Sequence, residues 1–135
     1  MYTIKEISEM MGLKASTIRY YEEIGLLENV VHKDKYHRLY DRQHVDRLGA
    51  IECFKKARLS LEDIKQFFEY EKNMESCSGK IIDMMTQQEE KTLEAMRTLE
   101  EGLNHVRKKI KYYSIVDNAV KTGERIPTWN EIFEK

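Results

Sequence analysis

Residues 3–25, TIKEISEMMGLKASTIRYYEEIG, decide the fold. Thr3 and Glu6 have the spacing of a capping box, in which a hydroxyl and a carboxylate satisfy the free N–H groups at a helix start. Ile4, Ile7 and Met11 then fall on one helical face, and Gly12 can take the left-handed conformation that stops the helix. Leu13 and Lys14 make a turn. A second helix is predicted from Ala15 to Ile24, stopping at Gly25, with Ile18 and Tyr21 on a shared face and Ser16, Thr17, Arg19 and Tyr20 outward. Two short helices joined by a glycine-containing turn of this length have helix-turn-helix geometry.

Working outward, residues 28–40, ENVVHKDKYHRLY, show no helical period. Val30-Val31 and Leu39-Tyr40 flank a charged tip, Lys33-Asp34-Lys35, which predicts a small β-hairpin with a turn that lacks glycine. Asp41 should cap a third helix to about Ala57, and Ser60 a fourth, with Asp63 three residues on and Ile64, Phe67 and Phe68 as its apolar face. The run NMESCSG at 73–79 reads as a polar connection. From Ile81 to Tyr113 one long helix is expected. Its two heptad positions are Ile82, Glu89, Met96, Leu103, Ile110 and Met85, Thr92, Leu99, Val106, Tyr113. Apolar residues dominate both sets at alternating steps of three and four, the pattern of a coiled-coil seam. Such a helix spans roughly 50 Å, more than the roughly 30 Å of a globule this size. It therefore needs a partner helix, which a homodimer supplies most economically; the alternative is a helix folded back on the chain's own core. In the tail, Thr128 is placed to cap a last turn that groups Trp129, Ile132 and Phe133. The expected organisation is a head at 1–72, a linker at 73–80, a dimerisation helix at 81–113 and a tail at 114–135 that packs on the dimer.

The 135 residues carry a net charge of −1, with 35% charged and 41% hydrophobic side chains. No stretch approaches the roughly 18 apolar residues of a membrane span. MYTIKEISEM has neither the basic nor the apolar region of a signal peptide. Cys53 and Cys77 are too few for a disulfide framework, so a reducing cytoplasm is the expected location. Charge is unevenly spread: residues 29–58 hold eight Lys/Arg against four acids, whereas residues 59–135 hold twelve against fifteen. That distribution suits a chain of which only the first part meets phosphate. No P-loop, G-x-S-x-G, H-E-x-x-H or C-x-x-C occurs, and His32, His37, His44 and His105 lack zinc-type spacing, so no enzyme, metal or cofactor is expected.

The block T-I-R-Y-Y-E-E-I-G-L-L at 17–27, followed by R-L-Y-D at 38–41, resembles the MerR family of transcriptional regulators over about residues 2–72. The resemblance implies a mainly α protein: a winged helix-turn-helix head with a hairpin wing, and an antiparallel coiled-coil dimer. It further implies a homodimer on double-stranded promoter DNA that distorts an overlong promoter spacer so that RNA polymerase can use it. The sequence departs from the family's pattern at Lys14, where a Ser or Thr cap is usual, at Asn29, a common proline position, and at Tyr36, a usual glycine. A lysine opposes the helix dipole at that end unless phosphate lies there.

The resemblance assigns recognition to helix 15–24. Ser16 and Thr17 bring short hydroxyls, Arg19 a fork for guanine or phosphate, and Tyr20 and Tyr21 phenols on rigid bodies, although Tyr21 shares the Ile18 face and is the better candidate for the core. Lys14 joins them at the helix start. Lys33, Lys35, Tyr36, His37, Arg38 and Tyr40 of the wing suit phosphate more than base reading. For the signal, the run C-F-K-K-A-R-L-S at 53–60 resembles the NmlR/AdhR branch, whose members respond to aldehydes, electrophiles or nitrosative stress through a thiol. Gly49, Ala50 and Ala57 around Cys53 are small, which would let a helix pack closely and leave an adduct little room. Lys56, with Lys55, would favour the thiolate. The alternative for Cys53 is a small buried hydrophobe. Cys77 has no soft-ligand partner nearby. Two other readings of the whole chain stay open: a regulator binding a non-covalent organic ligand near Trp129 and Phe133, and a coiled-coil adaptor whose basic head docks protein.

Overall fold

In the computed structural model, which describes residues 1–134, two compact units divide inside the longest helix, between Glu90 and Lys91. The first unit starts with strand β1 (Tyr2–Thr3), then helices α1 (Ile4–Met11) and α2 (Ala15–Glu23), strands β2 (Val31–His32) and β3 (Arg38–Tyr40), and helices α3 (Arg42–Lys56) and α4 (Leu61–Glu71). Helix α5 (Met74–Thr122) follows, and α6 (Trp129–Phe133) ends the chain. The fold is mainly α with a small antiparallel sheet in the order β1-β3-β2.

The capping box forms as the spacing predicts. Thr3 N–H donates to Glu6 Oε1 at 3.0 Å and Glu6 N–H to Thr3 Oγ1 at 3.2 Å. Gly12 ends α1 at φ +66°, a conformation that costs glycine little. The hairpin pairs Val31 with Leu39 and His32 with Arg38. The third strand, β1, escapes sequence reading because two residues are too few to alternate. Thr3 is already extended as the α1 cap, and it lies opposite Leu39 while Tyr2 lies opposite Tyr40.

Asp41 caps α3, and the third residue of that helix, His44, completes the box: its Nδ1 accepts from Asp41 N–H at 3.0 Å. Nε2 lies 2.7 Å from the Glu28 carbonyl, so it is the protonated nitrogen. This buried histidine ties the start of α3 to the segment before the wing. Around it a core forms from Ile7, Ile18, Tyr21, Leu26, Leu27, Tyr40, Leu48, Ile51, Leu59, Ile64 and Phe68. Phe54 and Phe67 meet edge to face at 4.9 Å between α3 and α4, and the Arg47 guanidinium lies 3.8 Å from the Phe68 ring centroid.

Two expectations for the long helix need correcting. It starts at Met74, so residues 74–80 are helix and not a linker; Ser and Gly weaken a helix only mildly, and no proline interrupts them. It also runs past Tyr113 to Thr122, where Gly123 at φ +72° stops it and Glu124 N–H reaches back to the Ala119 carbonyl at 2.9 Å. Met85, expected in the seam, packs instead against the core of the first unit, and Gln88 Nε2 donates to the Ala57 carbonyl at 2.9 Å. From Met96 onward the seam residues Met96, Leu99, Leu103, Val106, Ile110 and Tyr113 are exposed, as is Ile82.

In the second unit α6 packs on its own α5. Tyr112 donates its phenol to the Pro127 carbonyl at 2.9 Å, and Trp129 stacks near Tyr112, His105 and Phe133. Thr128 caps α6 and Arg125 grips Glu131 with both guanidinium NH2 groups.

Candidate nucleic-acid interface

The α2 N-terminus begins at Lys14, which adopts extended cap geometry but offers no capping side chain. The residue is exposed, and the N–H groups of the first turn go without a side-chain cap, an arrangement that an anion would relieve. Past it, Ser16, Arg19 and Tyr20 are exposed, Thr17 is half-buried, and Ile18 and Tyr21 point into the core.

Tyr21 is not available to DNA. Its ring is buried and its phenol donates to Glu52 Oε1 at 3.1 Å while accepting from Lys55 Nζ at 2.8 Å. Burial pushes this phenol up from its ordinary range, and its oxygen in turn raises the Lys55 ammonium. The tyrosine thus bolts α2 to α3. Tyr40 is likewise corrected from contact to core. Its ring is fully buried, its hydroxyl finds no hydrogen-bond partner among the described residues, and burial with the nearby Glu22 charge pushes the phenol up to about 12.

At the wing tip aspartate does what glycine does elsewhere. Asp34 Oδ1 accepts from Tyr36 N–H at 2.8 Å and His37 N–H at 3.0 Å, and His37 Nδ1 lies 2.7 Å from Oδ2. Lys33 N–H to the His37 carbonyl at 2.9 Å closes the loop. Those backbone donors, Tyr36 first, hold the Asp34 carboxyl below the usual carboxylate range. Outside glycine, positive φ occurs at Asn29 (+62°) and Arg58 (+70°) among the described residues, not at Tyr36. Lys33, Lys35, Tyr36 and His37 are exposed around this loop. Arg38 is not: its Nε donates to Glu22 Oε2 at 2.7 Å, with His32 on the other oxygen.

Cys53 lies on an exposed face of α3, with Lys56 also exposed. The expectation of a crowded sulfur does not hold within this chain, since Cys53 is itself exposed. His44 and Glu22 are the structural residues that sequence reading missed. The capping spacing Asp41-x-x-His44 was a usable signal for the first, whereas nothing local marks Glu22 as a partner of the wing.

A second helix that shows Ser16, Arg19 and Tyr20 to solvent and a hairpin beside it on one compact head define a winged helix-turn-helix regulator. The model of the MerR HTH family regulatory proteins matches residues 2–71, and the chain belongs to that family; it is a MerR-family transcriptional regulator. It is 28% identical over 134 residues to the HTH-type transcriptional regulator YyaN of Bacillus subtilis, covering 90% of this chain and 97% of that one. It is 36% identical over 64 residues to the HTH-type transcriptional regulator AdhR of Bacillus subtilis, a match to 47% of this chain and 46% of AdhR. Among solved structures it is similar to HiNmlR, a MerR family regulator lacking the sensor domain and bound to promoter DNA, with a TM-score of 0.77, 25% identity and 91% of each chain covered.

Proposed function

We propose that this regulator binds double-stranded promoter DNA as a homodimer. Helix α2 enters the major groove through Ser16, Thr17, Arg19 and Tyr20, and Lys14, Lys33, Lys35, Tyr36 and His37 meet phosphates. The observation that carries this reading is the side-by-side exposure of Arg19 and Tyr20 on α2 and of the wing-tip cations on a head anchored from within by Tyr21 and Tyr40. The DNA-bound state of HiNmlR supports it. Two heads can hold a distorted spacer for RNA polymerase if phosphate contacts repay a deformation cost on the order of 1–6 kcal/mol. The test is selection of a duplex from a random-sequence pool, followed by titration of its affinity against salt. A palindromic product with a steep salt slope is expected; no selected duplex overturns the reading.

For the signal, an aldehyde or other electrophile adding to Cys53 is the favoured trigger. The thiol is exposed and so reachable, and its neighbours in sequence, Glu52 and Lys55, are the residues that grip Tyr21 of the recognition helix. Cys53→Ala is expected to keep DNA binding and lose induction by reactive carbonyls; unchanged induction excludes the thiol. No catalytic role is proposed, and the site of action is the cytoplasm.

A further inference from the structure

His32 and Arg38 face one another across the hairpin, and both reach a single carboxylate on α2, one to each oxygen of Glu22. This is not an ordinary surface ion pair. The Glu22 and Arg38 side chains are only 17% and 21% exposed, and the unpartnered Tyr40 phenol lies close enough to feel both charges. β3 is fixed along its other edge by β1, so the sheet hangs from the chain's N-terminus on one side and from the recognition helix on the other.

We propose that Glu22 is a positioning residue for DNA binding: it neutralises Arg38 within the head and sets the angle between wing and recognition helix, leaving Lys33, Lys35, Tyr36 and His37 as the wing's phosphate ligands. The inference rests on the DNA-binding reading above and revises one expectation from the sequence, that Arg38 meets the backbone. The physics favours retention of the pair when DNA arrives. Drawing Arg38 away to a phosphate would strip a largely buried carboxylate of its guanidinium, leaving only the exposed His32 ring on its other oxygen, and would do so beside a polyanion, which penalises it twice.

Operator preference, the affinity for a selected duplex over a scrambled one, and the salt slope together test this. Each phosphate ligand lost makes the log-log slope shallower by about 0.9, and Lys35→Gln is expected to do so. Arg38→Gln is expected to lower the preference about tenfold at an unchanged slope. Glu22→Gln should lower it as much, and the double variant no further, because the two residues act as one unit. A slope shallower by about 0.9 in Arg38→Gln, or losses that multiply in the double variant, would overturn the proposal. If Arg38→Gln does not fold, Arg38→Lys decides: a phosphate ligand tolerates that change and retained preference overturns the proposal, whereas a lost preference supports it, because the guanidinium fork is what the carboxylate geometry requires. Absence of any preferred duplex for the wild-type chain would overturn the DNA-binding reading itself, a distinguishable result.

Discussion

Tyr40 shows how one atom separates two roles that a sequence position cannot. It sits at the base of the wing, next to residues that face solvent, yet its ring is enclosed and its hydroxyl is unsatisfied. A buried hydroxyl without a partner costs about 1–3 kcal/mol. Tyr40→Phe is therefore expected to raise head stability by about 1 kcal/mol and leave DNA affinity unchanged, as read by thermal melting and duplex titration; a loss of affinity would return Tyr40 to the interface. Asp34 makes a pH prediction at the same scale. Its folded carboxyl lies below the ordinary value of 3.8 because backbone donors stabilise the anion. The contribution to wing order is therefore complete above 3.8 and is lost as pH falls through the lower folded value. Amide exchange of Tyr36 and His37 should accelerate in that acid window and not near neutrality, and Asp34→Asn should abolish the step. That Asp34 closes a loop with no glycine in it does not show in the sequence, because a side chain accepting its own loop's N–H groups leaves no periodic trace.

At the level of elements, capping signals carried most of what could be read in advance. Thr3, Asp41, Ser60 and Thr128 each cap the helix whose start they mark, because capping is a local bond between residues three apart. What was missed is tertiary. The β1 strand exists only because β3 is there to pair with, and residues 74–79 of the polar run are helix although their composition suits a turn. Lys14 leaves α2 as the exception, an uncapped start beneath an exposed cation. Serine there would supply the missing acceptor, typically worth about 1 kcal/mol, and would remove a charge that opposes the helix dipole. Lys14→Ser should thus raise the melting temperature by a few degrees while weakening operator binding and making its salt slope shallower by about 0.9. Greater stability with an unchanged slope would show that Lys14 touches no phosphate. A variant that melts higher and binds worse would place the cost of the uncapped helix on the side of function.

The whole chain poses a problem that neither compact unit solves alone. Met96, Leu99, Leu103, Val106 and Ile110 recur at steps of three and four along α5, and Leu99 and Ile110 are 69% and 63% exposed. An aligned apolar stripe of this kind marks an interaction surface, and its heptad spacing fits a second helix. In a homodimer each position counts twice. Replacing Leu99 and Leu103 with glutamate removes four buried leucines, each worth about 1.5–3 kcal/mol, or on the order of 6 kcal/mol and more in all. Leu99→Glu/Leu103→Glu is therefore expected to sediment as a single chain at micromolar concentration where the wild type sediments as two. Helix content of residues 91–122 should fall, because a helix with no partner loses most of its support, while residues 1–90, with their own core, keep their fold. DNA binding should drop by more than about a hundredfold, since a lone head gives up the second half-site and the effective concentration that linkage provides. Glu101→Gln, outside both heptad sets, should change none of these readouts. If the double glutamate variant still sediments as a dimer, the stripe is not the seam, and the pairing surface must be sought in the aromatic tail around Trp129 and Phe133.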